Sequence, residues 1–346
     1  MNPVLFFLLS AITGFVEVGA VIYAMQQGFS VVQILLLVLA YQVGCFFPTN
    51  ISVKKMWLII LGTITLALSV ALYTIPSFML FLATVLTLSP CLQMARSLQK
   101  SKVSTAQKRV FRIIGFSLSP LLSPFTLVVV SAATFIIIMI QKSDFQYRIT
   151  LPKLRKQYFI MVVHQMHYFS YAYILLIIAG KLDNYNGFFT ALFFVLSWIT
   201  YTSAQYIFKG KKYYTYLISG HIFLVFVISG IALTTSDPMK IILWILTGFG
   251  GGTVFCIKEI LKNNRGYDSH IFESSENYGH VLGVFCSIIM YIVFDTINAS
   301  VYFAAICAAS TAILASISYY KSSYGGQEND GIDKQVFLAL KHEIIT

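Results

Sequence analysis

The chain has 346 residues, of which 58% are hydrophobic and 11% charged, and its mean hydropathy is +0.78. A soluble domain carries about 25% charged residues, so that class is excluded. The net charge of +11 would suit a nucleic-acid partner if the basic residues formed one patch. They flank apolar runs instead, as in the inner loops of a membrane protein, and no nucleic-acid partner is expected.

Apolar runs predict twelve membrane spans, at roughly 3–25, 30–49, 55–74, 77–95, 104–122, 123–142, 156–180, 187–207, 213–233, 239–257, 270–294 and 298–320. Each is near the ~20 residues that carry a helix across a ~30 Å hydrocarbon core. Helices are the default because backbone in lipid must satisfy its own hydrogen bonds. The first run begins at Pro3 without a basic leader, so no cleavable signal is expected. The connections then alternate between two sides. All Lys and Arg except Lys181 and Lys240 fall on one of them, which makes that side, and both termini, cytoplasmic. The connections on the other side are short, such as Gln26–Ser30, Thr74–Ser77 and Thr234–Pro238.

Residues 104–141 could form one helix or two. Basic flanks at Arg96–Arg112 and Lys142–Lys156 demand an even number of crossings, so two are expected. The break should fall near Ser119-Pro120-Leu121-Leu122-Ser123-Pro124, where two prolines disfavour continuous helix. Lys108, Arg109 and Arg112 then lie in the inner half of the fifth span and must snorkel or face a cavity. The expected organisation is a six-helix bundle over 1–141, a linker at 142–156, a second six-helix bundle over 157–320 and a polar tail at 321–346. A brief surface helix is expected around Val336–Leu340 in that tail. Cys45, Cys91, Cys256, Cys286 and Cys307 lie in or beside spans without CxxC spacing and read as apolar fillers.

The halves resemble each other. Lys54-Lys55 leads into a span with Gly62, as Lys211-Lys212 leads into one with Gly220, and the fifth and eleventh spans carry Gly115 and Gly283. Parallel six-helix repeats joined by a basic link are a transporter architecture. With these features the chain resembles the major facilitator superfamily. That family's loop after the second span reads G-x-x-x-D-R-x-G-R-R/K. Gly44 fits here, Pro48 and Thr49 replace the Asp and Arg, and Lys54 and Lys55 echo the basic end. Its exporters often carry G-x-x-x-G-P-x-x-G-G in the fifth span, and this chain has Gly115-x-x-x-Ser119-Pro120-x-x-Ser123-Pro124. Small residues at this spacing also serve plain helix packing, as does Gly279-x-x-x-Gly283 in the eleventh span. The resemblance implies an all-α multi-pass protein of the cell membrane, with twelve helices in two bundles and alternating access. It leans toward export of a small amphipathic molecule in exchange for protons. Uptake by symport, a polytopic membrane enzyme or a binding-only immunity protein remain the alternatives.

Glu17 is the acid deep in a span of the first half. Placing a carboxylate there costs at least ~2.5 kcal/mol, so it should face water or a partner. It reads as a proton-coupling or cation-binding site, or as a helix-to-helix hydrogen bond. In the seventh span His164, His167 and Tyr171 share a face, bordered by Tyr168, and read as substrate-binding or proton-handling residues in the cavity that Glu17 lines, or as helix-to-helix hydrogen bonds. Met161, His164 and His167 could be soft metal ligands, but no thiolate or carboxylate is near in sequence, so no metal and no cofactor are expected. Glu273, Glu276 and His280 share a face at the start of the eleventh span. With Arg109 and Arg112 the two acids could form a cytoplasmic gate, or they could temper a helix dipole. Gly248-Phe249-Gly250-Gly251-Gly252 lacks the Lys-Ser/Thr of a phosphate loop and reads as a flexible or closely packed helix segment. The expected partners are a small-molecule substrate, protons and the bilayer, with the chain acting as a monomer.

Overall fold

The structure is a computed structural model that describes residues 3–50, 55–98, 105–140, 155–182, 184–208, 210, 212–263 and 267–324. The described residues form helices throughout. In the first half these are α1 (Pro3–Gln26), α2 (Val31–Asn50), α3 (Lys55–Thr74), α4 (Phe78–Leu98), α5 (Thr105–Leu118) and α6 (Pro124–Ile140). The second half contains α7 (Phe159–Leu182), α8 (Phe188–Ile207), α9 (Tyr213–Leu233), α10 (Asp237–Gly251), α11 (Val254–Asn263), α12 (Ser269–Phe294) and α13 (Ile297–Tyr324). Nine of these stretches are long and apolar enough to cross a membrane, counting α10 and α11 together, and α2, α5 and α6 contain shorter apolar helices. Each of the twelve expected spans thus falls on helix, nine of them of crossing length among the described residues, in a multi-pass membrane protein. The expected tail helix at 336–340 and most of the 142–156 linker lie outside the described residues.

Two breaks matter. Between α5 and α6 the chain turns through a short 3-10 segment, Ser119–Leu121, at the two prolines, as the charge pattern requires. The tenth span is broken into α10 and α11 at the glycine run. There the backbone crowds against α8: a Cβ on Gly252 would lie 2.2 Å from the Tyr201 carbonyl oxygen. Thr253 turns its hydroxyl back onto the Gly250 carbonyl, closing the break at 2.7 Å.

The packing repeats between halves. In the first, α1 lies on α5, α2 on α4 and α3 on α6; in the second, α7 lies on α12, α8 on α10 and α9 on α13. The bundles meet through two equivalent pairs, α2 with α12 and α5 with α8, and through α1 with α7. The outer helices α3, α6, α9 and α13 carry exposed Trp57, Ile64, Val129, Ile136, Phe223, Phe226, Ile306 and Ile313. Such a belt is what lipid covers. The helix α7 is the reverse, buried along most of its length at the centre.

Small residues set the closest approach. A Cβ on Gly115 would stand 1.9 Å from the Ala11 carbonyl oxygen, and one on Gly14 would stand 2.5 Å from that of Arg112. The fifth-span glycine thus serves the contact of α5 with α1, and Gly283 serves the equivalent contact of α12 with α7, against the Met166 carbonyl. Gly115→Ala should force the two helices apart and cost about 1–3 kcal/mol or more. Thermal unfolding in detergent should show a clear fall in Tm, with Gly230→Ala, whose nearest neighbour is 3.4 Å away, close to wild type. Equal Tm values for the two variants would refute the tight crossing.

Candidate functional site

The α1–α5 crossing presents Glu17, one turn beyond Gly14, to Arg112, one turn before Gly115. Arg112 donates from both Nε, at 3.1 Å, and Nη2 to the same carboxylate oxygen, Glu17 Oε2. The other oxygen, Oε1, accepts from the Tyr173 hydroxyl on α7 at 3.0 Å. That hydroxyl accepts in turn from Gln42 Nε2 on α2 at 3.2 Å. The Arg112 guanidinium also lies 5.3 Å from the Trp198 ring of α8 and 5.8 Å from Phe116, within cation–π range. The carboxylate is 4% exposed and the guanidinium side chain 27%, so the pair is closed on the acid's side and open on the base's. Glu17 is therefore ion-paired within its own half and hydrogen-bonded to the other.

The α7 face read from the sequence lies elsewhere. His164 and His167 point to His221 of α9, with the His164 Nδ1 and His221 Nε2 atoms 2.8 Å apart. Tyr171 donates to Thr247 Oγ1 on α10 at 2.9 Å. Tyr168 sits beside Tyr201 of α8 and within electrostatic reach of Glu17 and Arg112. These residues share a face as expected, but His164 and Tyr171 bond inside the second bundle and the His167 ring turns into it as well. The α7 side chain that touches Glu17 is Tyr173, which projects from the opposite side of the helix from His164. Its position nine residues on, half a turn out of phase, was the signal that could have found it.

The gate residues are distributed differently from the expectation. The guanidinium of Arg112 is engaged by Glu17, and the side chain of Arg109 lies outside the described residues. Glu273 is exposed and Glu276 half-buried on α12. His280 stacks on Phe169 at 3.9 Å, and Phe46 of α2 meets Tyr278 edge-on at 4.7 Å. At the opposite end of the bundles Gln26 donates to the Asn186 carbonyl at 3.3 Å. Gly180 abuts Met25 close by, so α1 and the α7–α8 turn close on each other there.

No protein-family profile and no curated protein matches this sequence at a significant level. The fold does match solved structures. The nucleoside transporter NupG aligns over 92% of this chain and 99% of its own, with 13% identity and a TM-score of 0.60. A bacterial homologue of the iron transporter ferroportin, in its outward-facing state, covers 92% and 98% with 12% identity and a TM-score of 0.58. The human organic anion transporter MFSD10 (TETRAN) covers 91% and 96% with 14% identity and a TM-score of 0.52. The chain shares the fold of these solved transporters and diverges from them in sequence.

The ion pair can be weighed by a double-mutant cycle. Removing one partner of a fully buried pair costs about 3–5 kcal/mol. Partial exposure of Arg112 reduces this, so Glu17→Gln and Arg112→Gln should each cost about 1–3 kcal/mol. The double variant should lose clearly less than their sum. Strictly additive losses in thermal unfolding would show that the two groups do not interact.

Proposed function

We propose that this protein is a secondary transporter working by alternating access, which moves a small amphipathic solute together with protons, Glu17 being the proton-carrying group. One observation carries the reading: Glu17, a buried carboxylate, gives one oxygen to an arginine of its own bundle and the other to a tyrosine of the opposite bundle. The similar folds belong to transporters of nucleosides, of organic anions and, for one homologue, of iron, which supports transport as the class. The chain has no ATP-binding motif, so an ion or solute gradient supplies the energy.

The ion pair suggests the order of events. A proton on Glu17 cancels the charge that holds Arg112 and weakens the bond from Tyr173, the link between α1 and α7. The released guanidinium, beside Trp198 and Phe116, then offers its donors to an oxygen acceptor or anionic group on the solute. Flat or apolar parts of the solute rest on those rings and on Tyr168. Proton and solute thus favour each other's binding, and linkage makes the effect reciprocal. That relation belongs to symport, and it moves the reading from export by exchange to uptake. Glu273 and Glu276 are the partners we assign to the basic end of α5 in the opposite state.

Proteoliposomes with an internal pH dye test this directly. Nucleosides, small organic anions and amphipathic amines are added in turn under a pH difference. We expect a solute bearing an oxygen acceptor or a negative charge to enter with protons. Glu17→Gln should abolish the proton flux and the uphill accumulation while sparing downhill exchange. Proton movement opposite to the solute would restore the exporter reading, and uphill accumulation by Glu17→Gln would place coupling elsewhere.

A further inference from the structure

We propose that His164, His167 and His221 form a binding site for one late first-row transition-metal ion, separate from the Glu17–Arg112 centre. The three imidazoles are almost fully buried, at 1%, 0% and 0% exposure. One nitrogen of each can be chosen so that all three lie within 4.8 Å of one another. Ligand nitrogens at about 2.0–2.1 Å from a tetrahedral ion stand about 3.3 Å apart, so small side-chain rotations would close the set. The His164–His221 pair, at 2.8 Å, is already that near.

The surroundings prepare the ligands. His221 Nδ1 donates to the Leu217 carbonyl at 2.8 Å; a carbonyl only accepts, so that nitrogen carries the hydrogen and Nε2 keeps its lone pair. A backbone carbonyl on the second ring nitrogen is the usual support of a metal-binding histidine. Without metal His164 donates from Nδ1 to that lone pair; moving this hydrogen to its Nε2 gives two facing lone pairs, 2.8 Å apart, for one ion. His167 is the telling member. Neither of its ring nitrogens makes a hydrogen bond of normal geometry, although the backbone of His164 one turn earlier lies close to the ring. An imidazole buried with both nitrogens idle is costly, and a metal ion would use one of them. The fold encloses the rings: α10 and α13 each pack on both α7 and α9, so four helices surround them. Metal sites in bundles are built in this way.

Three neutral imidazoles suit Zn2+ or Cu+ and not Mg2+ or Ca2+. Because α7 and α9 belong to the same bundle, the ion would tie them together and would not lie on the path between bundles. The experiment uses the full chain without a histidine tag, stripped with chelator and dialysed against Zn2+, Cu+ under anaerobic reduction, or Mg2+. We expect a single Zn2+ or Cu+ ion retained per chain and no Mg2+. X-ray absorption of the wild-type sample should show an imidazole-nitrogen shell. His167→Ala and His221→Ala should each weaken retention at least tenfold, while His270→Ala on the exposed start of α12 leaves it unchanged. The site is refuted by a wild-type chain that retains neither ion, by folded His167→Ala and His221→Ala chains that retain it as wild type does, or by a shell made only of oxygen or sulfur. The wild-type absorption reading stands even where a variant fails to fold.

Discussion

A carboxylate in the hydrocarbon core cannot stay charged without a partner, and the partner of Glu17 sits on a helix that must come very close to reach it. Gly14 and Gly115 permit that approach, with each helix backbone seated where the other lacks a side chain. The pair then organises its neighbours. One oxygen is saturated by the guanidinium, and the other is left to recruit Tyr173, which recruits Gln42. Aromatic rings of both bundles cover the cation. Packing, charge and the contact between the halves therefore meet at one side chain.

Much of the fold was legible because membranes leave few choices. Span length, the basic loops and the Pro120–Pro124 pair were enough to place twelve crossings and to divide residues 104–141 correctly. Glu17 was legible as well, since an acid in an apolar run has to be explained. Its partner was hidden in plain view: Arg112 counted as one more inner-side charge and was assigned to a gate. Periodicity says which residues share a face but not which helix that face meets. For this reason the histidine face of α7 was read toward the centre although it turns to α9. His221 stands alone in its run, with no local pattern to link it to His164, and only the packing of four helices brings them together.

The repeat is structural, but its chemistry differs between halves. Gly115 against Ala11 corresponds to Gly283 against Met166, so that Arg112, three residues before Gly115, corresponds to His280, three before Gly283. In the first half that position meets a carboxylate; in the second it stacks on Phe169. One half carries the charge and the other offers aromatic surface. A solute bound between them would meet a polar wall and an apolar one, which fits an amphipathic cargo.

Among the described residues Glu17 is the one acid that is buried, and this bears on how much work a cycle can do. On the proposed mechanism, coupling through this single carboxylate moves at most one proton with each solute. One pH unit then supplies about 1.4 kcal/mol, a roughly tenfold concentration ratio. A membrane potential adds about 2.3 kcal/mol per 100 mV for each charge that crosses. Such a machine suits scavenging at moderate gradients. Accumulation beyond what one proton supplies would require a second coupling group, and in the other half the place that corresponds to Arg112 is taken by the stack of His280 on Phe169.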